Sequence, residues 1–214
     1  MFILKHVQAA VLLVLYAAST ALFGQAYEEL LKAVEDGNTK HVERLLDRGL
    51  DPNTADPKGN TILMMASRLG HRDLVVLLIQ RKASVTRRSP FGDTALMMAS
   101  LRGDLEIVRL LVENGAEVKH RGWTPVHYAA FENRAEVIRY LVAKGADKDA
   151  LAPNGYSALM LAARGGHLEA AKALLYDDAD VRVKGPKGET ALSIAKQRGM
   201  TEFVELLKRA GAVE

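Results

Sequence analysis

Six histidines, seven methionines and no cysteine bound what this 214-residue chain could do to a metal or a substrate. His6, His41, His71, His120, His127 and His167 form neither H-x-x-x-H nor H-E-x-x-H, so no helix presents a zinc-binding pair. Without cysteine there is no thiolate zinc site and no disulfide. Met64, Met65, Met97, Met98 and Met160 recur in register, and thioethers suit soft ions such as copper. On stacked helices, equivalent methionines would be about 8 to 10 Å apart, whereas metal–sulfur bonds are about 2.3 Å, so the ladder reads as core packing. Gly165-Gly166 lacks the G-x-x-x-x-G-K-[ST] context of a phosphate cradle, and no serine, histidine and acid fall into a nucleophilic arrangement. The enzyme reading rests on scattered residues such as Arg102, Glu132 and His127, a weak basis for catalysis. No cofactor is expected.

The spacing of glycine says more. Gly59, Gly92, Gly122, Gly155 and Gly188 are separated by 33, 30, 33 and 33 residues. Two further columns keep that register: Gly37, Gly70, Gly103, Asn133, Gly166 and Gly199, and Gly49, Lys82, Gly115, Gly145, Asp178 and Gly211. A fixed period of this size marks one supersecondary unit repeated in series, each copy burying its apolar face against the next. Glycine or asparagine suits the left-handed residue that ends a helix, so each copy reads as helix, turn, helix, turn and loop. Thr61, Thr94, Thr124, Ser157 and Thr190 can cap the first helices through their hydroxyls, and Pro125 fits a first helical turn.

Gly122-Trp123-Thr124-Pro125-Val126-His127-Tyr128-Ala129-Ala130 approaches the motif G-x-T-P-L-H-x-A-A. With Gly70-His71, Gly166-His167, Gly115-Ala116-Glu117-Val118 and Gly145-Ala146-Asp147, it makes residues 27–214 resemble the ankyrin repeat family. The resemblance implies an all-α solenoid of six helix-turn-helix repeats with loop or β-hairpin-like connections, approximately 27–56, 57–89, 90–119, 120–152, 153–185 and 186–214. Copy one lacks the motif and reads as an N-terminal cap; copy six, with Glu202, Glu205, Lys208 and Arg209 around Phe203, Val204, Leu206 and Leu207, reads as the C-terminal one.

The resemblance also implies that a partner protein meets the concave face, built from loop tips and first helices. There the aromatic and apolar residues Phe91, Leu101, Trp123, Phe131 and Tyr156 cluster in the middle three copies, and Arg68, Arg102, Arg164 and Arg198 recur at the inter-helix turns. An apolar centre within a charged rim is how interface hot spots are built. The alternative is that Trp123 and Phe131 pack against the neighbouring repeat and the arginines are solvated. Copy four is three residues short between Gly115 and Gly122, which predicts a notch with Trp123 at its floor, between Phe91 and Tyr156.

Residues 7–26 carry no charge, follow Lys5 and end in Gly24-Gln25-Ala26, small residues that a signal peptidase reads. Residues 1–26 are therefore expected to be a signal peptide cut between Ala26 and Tyr27, with Ser19-Thr20-Ala21 as a second site. The competing reading is an uncleaved anchor facing the periplasm, since about 20 uncharged residues can just span a bilayer. Cleavage would remove only Lys5 among the charged residues and leave 28 basic and 26 acidic ones, too balanced to predict nucleic-acid binding. The expectation is a monomeric, non-catalytic, periplasmic protein-binding module with no membrane contact after cleavage. A tethered scaffold, or an inhibitor or immunity protein for one enzyme or toxin, is the alternative.

Overall fold

The computed structural model describes residues 24–213. The described residues form twelve helices in six antiparallel pairs: α1 (24–35) with α2 (Thr39–Asp47), α3 (Ile62–Leu69) with α4 (Arg72–Gln80), and α5 (Ala95–Arg102) with α6 (Leu105–Glu113). The series continues with α7 (Pro125–Phe131) and α8 (Ala135–Ala143), α9 (Ala158–Gly165) and α10 (Leu168–Tyr176), and α11 (Ala191–Gln197) and α12 (Thr201–Arg209). From the second copy onward, first helices stack on first helices, α3 on α5 through to α9 on α11. Second helices form a parallel row from α2 to α10.

Local chemistry sets these boundaries. The hydroxyls of Thr61, Thr94, Thr124, Ser157 and Thr190 each accept the backbone N–H three residues on, as expected of N-caps, and Pro125 opens α7. All three periodic columns are left-handed, including the non-glycine members Lys82, Asn133 and Asp178, at φ of 66°, 58° and 58°. The shared turn geometry holds even where the side chain makes it costly.

The buried layer between the rows is continuous from Leu30 to Ala212. Met64, Met65, Met97, Met98 and Met160 lie inside it, as the packing reading of the ladder requires. Ser67 and Ser100, also fully buried, satisfy their hydroxyls by donating to the carbonyls of Leu63 and Leu96, both at 2.7 Å.

Loops project from one end of the pairs. In four of them the backbone closes a tip: Asp56, Ser89, Ala152 and Gly185 donate N–H to the carbonyls of Asn60, Asp93, Tyr156 and Glu189 at 2.7–2.9 Å. Among the described residues copy four has no such bond, because the three missing residues leave too little chain for the turn. Neighbouring tips also touch, Pro90 resting on Gly59 and Pro186 on Gly155, but nothing lies within 4 Å of a carbon built on Gly92. The tip turn is thus missing at copy four, where the loop is shortened, although a carbon built on Gly122 would still meet Pro153 of the next copy at 3.8 Å.

Of the expected leader, residues 1–23 lie outside the described residues. Gly24, Gln25 and Ala26 belong to the helical run of α1, and the Tyr27 hydroxyl donates to the Ala55 carbonyl at 2.9 Å, tying α1 to the loop that follows α2. No helix among the described residues is long and apolar enough to cross a membrane.

Candidate partner-binding face

At the inter-helix turns, side chains from one copy cap the first helix of the copy before. His71 Nε2 lies 3.0 Å from the Glu35 carbonyl, Arg102 donates to the Arg68 carbonyl at 3.4 Å, and Arg134 Nε donates to the Leu101 carbonyl at 3.2 Å. Each reaches across a turn glycine; a carbon added to Gly70 would sit 2.1 Å from Arg102 Nε. A cation over exposed C-terminal carbonyls also complements the helix dipole. Arg102 therefore has a structural role in addition to its place on the face. Arg68, Leu101, Arg102, Asp104, Glu132 and Arg134 line a depression of about 770 Å³, and its charges nearly cancel. Asp104 caps α6 through the Ile107 N–H, and Glu132 lies 4.0 Å from Arg134.

In copy four, Trp123 is half-buried and meets the rings of His127 and Tyr128 edge-on, with centroids 5.8 and 5.9 Å away. The Tyr128 hydroxyl donates to Asp93 of the preceding copy through a short hydrogen bond, so Trp123 sits beside an inter-repeat tie. Part of the packing alternative thus holds for Trp123. Phe91 and Phe131 do face solvent, at 80% and 55% exposure.

His127 is 1% exposed. Its Nδ1 accepts the Thr124 N–H at 3.2 Å, and Nε2 lies 3.0 Å from the Ala150 carbonyl, which selects the tautomer protonated on Nε2. Burial pushes this imidazole below its ordinary pKa. With both nitrogens occupied it ties α7 to the loop that follows α8, and the structure does not bring it to Arg102 and Glu132, which share the depression described above.

Tyr156, Arg164 and Arg198 gather in a second depression, of about 690 Å³, between copies five and six. Lys187, Glu189, Ile194 and Gln197 complete its lining. The Arg164 guanidinium lies over the Tyr156 ring, 5.1 Å from its centroid. The Tyr156 hydroxyl donates to Glu189 at 2.8 Å, which holds the carboxylate below its usual range and raises the phenol. Tyr156 therefore faces copy six and does not form a wall opposite Phe91. The expected arginine set is divided: Arg68 and Arg102 in one depression, Arg164 and Arg198 in the other. Glu189 belongs to the loop-tip positions of the concave face in copy six, whereas Arg134 was passed over; its signal was its place in register with His71.

The family model described as ankyrin repeats (3 copies) matches residues 26–89, 82–152 and 148–213, nearly the whole described chain, and the protein belongs to the ankyrin repeat family. An ankyrin repeat protein of Pseudomonas aeruginosa is 43% identical over 49 residues, 23% of this chain and 29% of that protein. An ankyrin repeat and SAM domain-containing protein of Mus musculus is 34% identical over 136 residues, 62% of this chain and 12% of its own. An ankyrin repeat-containing protein of Saccharomyces cerevisiae is 37% identical over 62 residues, 29% of this chain and 12% of the yeast protein. The chain therefore spans under a third of each of these relatives. Ankyrin repeats are generally non-enzymatic modules of protein–protein interaction, a role this geometry can serve.

Proposed function

We propose that the protein is a non-catalytic binding module, exported to the periplasm, that holds a partner protein against its loop tips and first helices. The observation behind this reading is that one face combines exposed phenyl rings, Phe91 and Phe131, with the half-buried Trp123 and with Arg68, Arg164 and Arg198, which have no ion-pair partner among the described residues. Rings and guanidinium groups at a protein surface dominate binding energy when a partner covers them. On the second helices, by contrast, several cations are already neutralised locally, as in Arg139–Glu136, Lys172–Glu169 and Arg209–Glu205.

Site-specific photocrosslinking in the native host tests the reading. A crosslinker at Phe131 is expected to trap one partner that a crosslinker at Arg139, on the outer row, does not. Trp123→Ala should weaken that complex by about 2 kcal/mol or more, as loss of a central aromatic anchor does. Trapping from Arg139 alone would place binding on the other face. The export part rests on the uncharged stretch 7–26, which also favours a tethered scaffold if it is retained. Cell fractionation separates those two.

A further inference from the structure

We infer that the depression between copies five and six receives Asp or Glu side chains from an acidic segment of the partner protein, an inference that rests on the proposed binding face. Three cations line it, Arg164, Lys187 and Arg198, against the single acid Glu189. Glu189 is already engaged: it accepts the Tyr156 hydroxyl and the Lys187 backbone N–H, both at 2.8 Å. Among the described residues, Arg164 and Arg198 form no ion pair with any carboxylate, while the Lys187 charge helps hold Glu189 ionised.

The cations are also prepared for an anion. The Arg164 guanidinium is held over the Tyr156 ring, and Glu189 holds Tyr156 in turn. A held guanidinium loses less freedom when it grips a carboxylate through two parallel N–H bonds. Ile194 and Gln197 offer an uncharged lining against which the stem of a Glu or Asp can lie. The neighbouring depression does not share this character, since Asp104, Glu106 and Glu132 offset Arg68, Arg102 and Arg134. Relative to that depression this one has an excess of positive charge with one acid inside it, and the hollow beyond it adds Arg182, Lys184 and Lys196. A nucleic acid or an anionic bilayer would call for an extended stripe of positive charge, whereas a short acidic peptide matches three cations in one hollow.

The test is selection of a random peptide display library on the full chain, followed by fluorescence anisotropy with the synthesised winner. The winners are expected to be enriched in Asp and Glu. Arg164→Gln with Arg198→Gln should weaken the peptide by about tenfold or more, and raising salt should weaken it further. Glu189→Gln keeps the hydrogen-bonding shape, removes the competing negative charge and should tighten binding a few-fold, a gain that loss of structure would not produce. Arg139→Gln, on the outer row, should leave affinity unchanged. Winners that lose affinity with Phe131→Ala yet carry no acidic bias and ignore the arginine changes overturn this inference and leave the binding face intact. Winners sensitive only to Arg139→Gln overturn the face itself. Tighter binding of a DNA duplex or of phosphatidylglycerol vesicles through the same arginines also overturns the acidic-segment assignment.

Discussion

Replacing Gly103 with valine strains the backbone and the inter-repeat cap together. Gly103 sits at φ 89°, and a carbon added there would lie 2.4 Å from Arg134 Cδ and 2.8 Å from its Nε. A β-branched residue in that left-handed region costs about 1 to 3 kcal/mol. Pushing Arg134 off the Leu101 carbonyl, now at 3.2 Å, forfeits an exposed charge-assisted bond worth about 0.5 to 1 kcal/mol. The expected loss is therefore about 1.5 to 4 kcal/mol, a large share of the roughly 5 to 15 kcal/mol that stabilises a folded domain. Asn133→Gly is the fitting comparison. Gly relaxes the turn, but the Asn133 side chain accepts the Ala170 N–H at 3.0 Å and so caps α10, whose own N-cap residue His167 makes no side-chain cap bond. Losing that cap costs about 1 kcal/mol. Urea unfolding followed by circular dichroism, with midpoints and slopes compared, reads both. In an Arg134→Ala background Gly103→Val should cost only its backbone share, so the cycle should show coupling of about 0.5 to 1 kcal/mol. Equal midpoint shifts for Gly103→Val and Asn133→Gly would refute the turn argument, and an additive cycle would remove Arg134 from it.

Below the ordinary histidine pKa of 6.5 the unfolded chain protonates His127 before the fold does, because burial depresses the folded value. Stability should hold above about pH 7 and fall as the pH drops through that window, and His127→Gln should flatten this part of the profile. Tyr128→Phe removes the tie to Asp93 and should lower stability by about 1 kcal/mol, with a shift in the fluorescence of Trp123, the single tryptophan of the chain. Mass spectrometry of the exported protein should find Tyr27 as its first residue; an intact N-terminus sedimenting with membranes would contradict cleavage.

The sequence by itself determined the repeat number, the helix pairing, the hydroxyl caps and every left-handed turn, even at Lys82, Asn133 and Asp178. Each of these depends on a few adjacent residues, because a capped helix end or a positive φ is a local backbone requirement that recurs in register. The missing turn in copy four was legible for the same reason, since a three-residue deletion changes what one loop can span. Which side chains meet was decided by the tertiary structure. Arg102 crosses Gly70 to the Arg68 carbonyl, Asn133 caps a helix in the following copy, Tyr128 reaches back to Asp93, and Tyr156 reaches forward to Glu189. Those partners are 33 to 37 residues apart, and their meeting depends on how one repeat is set against the next and on the rotamers that this packing allows. A column of like residues can therefore mark a face, but only the stacking of the copies separates Arg102, bound to its neighbour, from Arg164, held over the Tyr156 ring and without a carboxylate partner among the described residues.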